Sequence, residues 1–155
     1  APELAADQEL EFGFLLHDIG KIGVPDAIVL KPGPLDAEEF EHMKGHVTLG
    51  ERIVAEVPYL RGTAAEIIHS HHERWDGSGY PSALRGEEIP LAARIFSVVD
   101  TFDAITNDRP YRAAQPSEHA LREIENGAGT QFDPDIAQAF IRHMRHREQD
   151  QRPAA

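Results

Sequence analysis

The sequence predicts an all-α domain of about five to seven helices, because three observations agree. Apolar residues recur every three to four positions along most of the chain, no convincing alternating strand is present, and clusters of glycine and proline separate the periodic segments. The length of 155 residues suits one domain and is sufficient to bury a sizeable core. These features favour helices packed on helices over a sheet-based fold.

Each predicted helix has a recognisable beginning or end. Asp36 and Glu39 resemble a capping box at the beginning of one helix, and Pro58 ends that helix. Pro134 suits the first turn of the last helix. Residues 25–34 and 76–81 are predicted loops, because their glycines and prolines cannot continue a helix. The helical segments are therefore 8–18, 37–57, 63–73, 90–107, 117–126 and 134–144, with residues 1–144 forming one domain and 145–155 a frayed polar tail.

Composition excludes several classes of function. The chain has 15 basic and 27 acidic residues, a net charge of −12, which argues against binding to nucleic-acid polymers or anionic membranes. It contains no apolar run long enough for a membrane segment and no visible signal peptide, which predicts a cytoplasmic protein. Cysteine is absent, so that a bound metal would need nitrogen and oxygen ligands.

Candidate ligands of that kind are placed next to apolar helix faces. A histidine–aspartate pair ends the first helix, a histidine pair precedes the glycine-rich loop, one histidine lies on the inner side of the second helix, and one aspartate interrupts an apolar stripe. These candidate metal ligands are His17, Asp18, His46, His71, His72 and Asp100. Together they suit two ions that share a bridging carboxylate and retain room for water.

Each candidate also has a structural interpretation. The His17–Asp18 pair could be a buried ion pair, His46 a satisfied core histidine, and Asp100 the partner of an arginine such as Arg94 or Arg109. The His71–His72 pair could belong to a solvated helix end, and Glu73 is interpreted as part of one. The other histidines are interpreted as surface residues: His42, His69, His119, His143 and His146.

Longer motifs resemble those of a known family. The run from His17 to Gly23, HDIGKIG, is similar to the opening motif of the HD-GYP family, a branch of the HD phosphohydrolases. The run from His71 to Pro81, HHERWDGSGYP, resembles its second signature, and residues 94–112 and 129–134 resemble two later ones. The similarity extends from about Phe14 to His143, most of the chain.

The resemblance implies an all-helical bacterial enzyme that hydrolyses the second messenger cyclic di-GMP to linear pGpG, and in some members to GMP. It implies two or three divalent ions, iron or manganese. By resemblance, Asp18 bridges the ions, His17 and Asp100 bind one of them, and His46, His71 and His72 bind the other. Lys21 resembles the lysine that meets the phosphate, and the implied substrate-binding residues are Lys21, Gly79, Tyr80, Pro81, Arg109 and Arg112.

The sequence departs from the family pattern in one respect. Family members take a further histidine or glutamate from a helix upstream of the HD motif, whereas the sixteen residues before His17 include no histidine. This predicts either a fragment lacking its first helix or an incomplete first metal site. The resemblance also implies an N-terminal sensory or receiver domain in the full-length protein, and a GGDEF-type cyclase or adaptor at the loop of Gly79, Tyr80 and Pro81.

Two other functions remain open from the sequence. The domain could be a non-catalytic module that binds cyclic di-GMP or another protein, or an HD hydrolase that acts on another nucleotide.

Overall fold

The structure, a computed structural model, describes residue 4, residues 6–108 and residues 113–150. It confirms the all-α class: these residues contain seven α-helices and three short 3₁₀ helices, and no β-strand longer than an isolated bridge. The α-helices are α1 (Gln8–Leu16), α2 (Asp26–Val29), α3 (Ala37–Ala55), α4 (Thr63–Ser70), α5 (Leu91–Thr106), α6 (Ser117–Gly127) and α7 (Pro134–Asp150). The 3₁₀ helices are Ile19–Gly23, Pro58–Leu60 and Gly86–Glu88.

The chain forms two compact units, Ala1–Phe96 and Ser97–Ala155, whose boundary falls inside the sequence of α5. The assignment of residues 1–144 to one HD-GYP domain, followed by a polar tail, stays a prediction.

Helices α1 and α4 pack closely in the first unit because a glycine lies between them. A Cβ atom at Gly13 would lie 2.6 Å from Cδ1 of Ile67, so a larger residue there would force the helices apart. Phe14 of α1 packs edge-to-face on Phe96, with ring centroids 4.9 Å apart. The buried core of this unit contains Val54, Leu60, Ala64, Ile67, Ile68, Ala92 and Phe96.

The start of α3 is fixed by the predicted capping box. The Asp36 carboxylate accepts from the backbone nitrogens of Glu38 and Glu39, and the Glu39 carboxylate accepts from the Asp36 nitrogen at 2.8 Å. Lys31 also donates to Glu39 and ties the preceding loop to this turn. The helix that carries His46 therefore begins at a defined residue.

The second unit has its own core. Phe132 packs under Gly127, where a Cβ atom would lie 2.7 Å from the phenylalanine ring, and Phe102 meets Phe140 edge-to-face. The Asp133 carboxylate caps α7 by accepting from the nitrogens of Asp135 and Ile136. The buried core residues are Val98, Leu121, Ile124, Phe132, Ala137 and Ile141.

Three element boundaries differ from the sequence prediction. The predicted loop 25–34 contains the single turn of α2, which is too short for a periodicity to reveal. Helix α4 ends at Ser70, because the chain turns there and the Glu73 nitrogen donates to the Ser70 carbonyl. Helix α7 continues to Asp150, and Arg145 within the predicted tail donates to Glu118 of α6 at 3.3 Å.

Among the described helices, none combines the length and the apolar character that crossing a bilayer requires.

Candidate metal centre

The centre begins where a 3₁₀ helix crosses α3 at very close range. A Cβ atom at Gly20 would overlap the carbonyl oxygen of His46 and would lie 2.6 Å from the nitrogen of Gly50. Glycine at position 20 therefore permits the backbone of Ile19–Gly23 to touch α3. This contact brings Asp18, which precedes the 3₁₀ helix, beside His46.

Four predicted ligands meet at this crossing. Oδ1 of Asp18 lies 3.4 Å from Nε2 of His46 and 3.8 Å from Nε2 of His71. The two imidazole nitrogens, on α3 and just after α4, are 3.2 Å apart. His72 completes a group whose ligand atoms all lie within 4.8 Å of one another. The segment after α1, the middle of α3 and the segment after α4 thus place these four side chains in one small volume.

The hydrogen bonds on the outer side of each ring fix which nitrogen faces the centre. Nδ1 of His17, His46 and His71 lies 2.9, 2.6 and 2.9 Å from the backbone carbonyl three residues earlier. A carbonyl can only accept, so each Nδ1 donates and each Nε2 of a neutral ring carries a lone pair. This outer bond is the usual way in which a ligating histidine is oriented.

The lone pairs on Nε2 of His46 and Nε2 of His71, which lie 3.2 Å apart, repel each other unless a cation lies between them. Burial disfavours a proton as that cation. Burial lowers the pKa of His71 to about 4 and that of His72 to about 3, and neighbouring imidazoles lower both further. Burial also lowers the pKa of His46. The rings are therefore neutral at pH 7, and the donor set of imidazoles and one carboxylate fits a divalent metal ion.

Asp18 is the carboxylate of this group and has a different partner on each oxygen. Oδ1 faces His46 and His71, whereas Oδ2 lies 2.6 Å from Nζ of Lys21 and 3.3 Å from Nε2 of His17. Burial raises the pKa of Asp18, but hydrogen bonds from His17 and Lys21 and their charges outweigh it and hold this pKa well below its usual range. Asp18 is thus a carboxylate at neutral pH. One of its oxygens faces His46 and His71, and the other faces His17 and Lys21.

The loop of Gly79, Tyr80 and Pro81 forms a wall beside this cluster. The Tyr80 ring stacks on His72, with centroids 4.6 Å apart and planes at 22°, and the Tyr80–Pro81 peptide is cis. A Cβ atom at Gly79 would lie 2.6 Å from both the His72 carbonyl oxygen and Cα of Glu73, so the loop folds tightly over its own beginning. Burial, followed by the charge of Asp18, raises the pKa of Tyr80 to about 12, so that it remains a phenol.

Glu73, which was interpreted as part of a solvated helix end, instead holds this loop in place, so that interpretation is wrong, and His69 contacts the same loop from a partly exposed position. Glu73 is only 4% exposed and accepts from the nitrogens of Ser82 and Leu84, at 2.7 and 3.1 Å. His69 is half-buried; its Nδ1 lies 3.0 Å from a Glu51 carboxylate oxygen, and its Nε2 lies 3.0 Å from Oγ of Ser82. The signal in the sequence was Glu73, an acidic residue just before a glycine-rich loop whose backbone nitrogens need hydrogen-bond acceptors.

The remaining predicted residues are not placed in the cluster by the structure. Asp100 is half-buried in α5 and belongs to the second compact unit, and its role as a metal ligand stays a prediction. Arg109 and Arg112 lie outside the described residues, so their assignment to the substrate also stays a prediction.

Comparison with known proteins agrees with this architecture. A family model described as an HD domain matches residues 2–136. The chain is 51% identical over 136 residues to a protein of Thermotoga maritima named cyclic di-GMP phosphodiesterase, covering 86% of this chain and 37% of that protein. It is 40% identical over 129 residues to the 3'3'-cGAMP-specific phosphodiesterase 2 of Vibrio cholerae serotype O1, covering 83% of this chain and 25% of that protein.

A solved structure shows the same fold. The crystal structure of a cyclic GMP-AMP specific phosphodiesterase from V. cholerae aligns with a TM-score of 0.63 at 22% identity, over 89% of this chain and 38% of that one. The chain thus spans about a third of the length of that protein and of the T. maritima relative. The family resemblance predicted from the motifs is confirmed, and the chain belongs to the HD domain family.

Proposed function

We propose that this chain is a metal-dependent phosphodiesterase that hydrolyses cyclic di-GMP to linear pGpG and, as in some family members, onward to GMP. The observation that carries the proposal is the pair of Nε2 atoms of His46 and His71, which lie 3.2 Å apart and 3.4 and 3.8 Å from the same Asp18 oxygen. Relatives named cyclic di-GMP phosphodiesterases support the choice of substrate.

The proposed metal assignment, which the family resemblance implies, is supported by the two sides of Asp18. His46, His71 and His72 lie toward Oδ1 and would hold one ion, while His17 lies toward Oδ2 and would hold a second ion together with Asp100. Ligands restricted to nitrogen and oxygen, with space for water, suit iron or manganese, and some family members hold a third ion. Two such ions would lower the pKa of a bound water and neutralise charge on the phosphate.

The residues of the chain would then divide the work. Asp18 supplies the bridging carboxylate, and its low pKa keeps it ionised at neutral pH. Lys21 uses one of its three N–H donors on Asp18 and can offer another to a phosphate oxygen. Tyr80, with Gly79 and Pro81, bounds the site and limits the access of water. Arg109 and Arg112 are proposed to bind the substrate phosphates or guanine edges.

The direct test is metal analysis combined with turnover. Protein purified without oxygen should contain two or three iron or manganese ions per chain and should convert cyclic di-GMP to pGpG in the same sample. Removal of the ions with a chelator should abolish the conversion, and readdition should restore it. Conversion that persists in metal-free protein would refute the proposed mechanism.

A second candidate substrate is 3'3'-cGAMP, because relatives at 40% and 44% identity are named as specific for it. Side-by-side measurement of kcat/KM for the two cyclic dinucleotides decides between them. Binding of either compound without any product would instead indicate the non-catalytic module.

The cellular setting stays a prediction. A cytoplasmic location is proposed from the composition of the chain. An N-terminal sensory or receiver domain, and a GGDEF-type cyclase or adaptor at the loop of Gly79, Tyr80 and Pro81, are proposed from the family resemblance.

A further inference from the structure

A lysine and two aromatic rings line the approach to the metal centre from α3. Phe40 and Lys44 are four residues apart and therefore share a face of this helix, and Lys44 comes two residues before His46. Phe40 meets Tyr80 edge-to-face, with centroids 6.0 Å apart. Because Tyr80 stacks on His72, this aromatic wall is continuous with the ligand cluster.

Lys44 is held over this wall instead of extending into solvent. Its Nζ lies 4.9 Å from the centroid of Phe40 and 5.6 Å from that of Tyr80, and its side chain is 30% exposed. Its carboxylate partner Glu41, at 2.6 Å, is 69% exposed, and such a surface pair contributes little to stability. The ammonium is therefore held between Glu41 on one side and the two rings on the other.

A cyclic dinucleotide presents chemistry that matches this wall. It carries two phosphates, and the ions and Lys21 are proposed to neutralise the reacting one. On a chain of net charge −12, the second phosphate gains from a further cation at the edge of the site, in addition to Arg109 and Arg112. The base attached to that half needs an aromatic surface, and Phe40 remains 43% exposed.

We propose that Lys44 binds the non-reacting phosphate of the cyclic dinucleotide and that the exposed ring of Phe40 contacts the adjoining base. This inference rests on the proposed function, since it assigns the second half of the same substrate.

The chain offers a matched control for the test. Lys31 also pairs with a glutamate, is 33% exposed, and precedes the same helix, but it is bonded to the capping residue Glu39. Lys44→Met and Lys31→Met change the net charge equally, and only the former removes a cation from the aromatic wall. Both variants are checked first for metal content and Tm.

Steady-state kinetics with cyclic di-GMP on the metal-loaded protein then provide the measurement. Lys44→Met should raise KM about tenfold with a smaller change in kcat, and Lys44→Arg should recover most of the loss. Lys31→Met should match the wild type. The KM of the wild type should rise with salt more steeply than that of Lys44→Met, because one screened contact is missing in the variant.

The outcomes separate this inference from the function on which it rests. A wild-type protein that is metal-loaded yet neither binds nor hydrolyses cyclic di-GMP would overturn the proposed function, and this inference with it. An active wild type in which Lys44→Met and Lys31→Met have equal KM values would overturn the role of Lys44 alone.

Discussion

Gly20→Ala is expected to damage the metal centre without changing any ligand. The new methyl group would overlap the carbonyl oxygen of His46, would lie 2.8 Å from its carbonyl carbon, and would lie 2.6 Å from the nitrogen of Gly50. These atoms belong to the backbone of α3 and cannot rotate away, so the segment that begins at Asp18 must move by about 1 Å. Overpacking of this kind costs about 1–3 kcal/mol.

The expected loss has two readouts. At about 2–4 °C per kcal/mol for a chain of this size, Tm should fall by about 2–12 °C. The gap between Asp18 and His46 should widen from 3.4 Å, and loss of well-oriented ligation should weaken metal binding about tenfold or more. Thermal unfolding and a metal titration measure the two effects.

Gly45→Ala is the matched control, because nothing lies within 4 Å of a Cβ atom at that position on the same helix. In a helix interior this change should stabilise the protein by about 0.5–1 kcal/mol. If Gly20→Ala retains the Tm and metal affinity of Gly45→Ala, the close crossing does not position Asp18 and the reasoning fails.

Three further predictions follow from the site. Asp18→Asn should lower turnover about tenfold or more below His46→Ala, because only the carboxylate serves both ions; equal residual rates would contradict the bridging role. Metal-free protein should lose stability as pH falls from about 6.5 toward 4, because His71 protonates in the unfolded chain near 6.5 but in the folded one only near 4, and a urea midpoint that is flat across this range would contradict the burial argument. Glu73→Gln should lower the free energy of unfolding by about 1–3 kcal/mol, because an amide cannot accept from both loop nitrogens, whereas exposed Glu87→Gln should have little effect. Equal unfolding curves for these two variants would show that the carboxylate does not hold the loop.

Local order was largely predictable because it depends on neighbouring residues. The Asp36–Glu39 capping box needs only residues three apart, and it appears in the structure as the sequence indicates. The apolar periodicity likewise predicted the packed face of α4, where Ala64, Ile67 and Ile68 are buried, whereas Leu15 of α1 shares the predicted apolar spacing but is exposed. A single turn such as α2 carries too few residues for a period to be read, so it was missed.

The candidate metal ligands were predictable in residue type but not in arrangement. Hydrophilic residues beside apolar faces singled out Asp18, His46, His71 and His72, and these four converge. Which imidazole nitrogen faces inward depends on a carbonyl three residues away, and which oxygen of Asp18 faces which histidine depends on the crossing at Gly20. The orientation of a side chain and the crossing of two distant segments cannot be read from spacing along the chain.

The sequence alone determined the helical class, the family and the chemical types of ligand, because these follow from periodicity and from motifs read in order. The tertiary structure decided the roles of Glu73 and His69. Their partners at Ser82 and Leu84 lie nine to thirteen residues ahead, beyond a cis proline and a glycine pressed against the backbone. Burial of a charged group depends on where a distant segment of chain folds back, and that information resides in packing, not in local sequence.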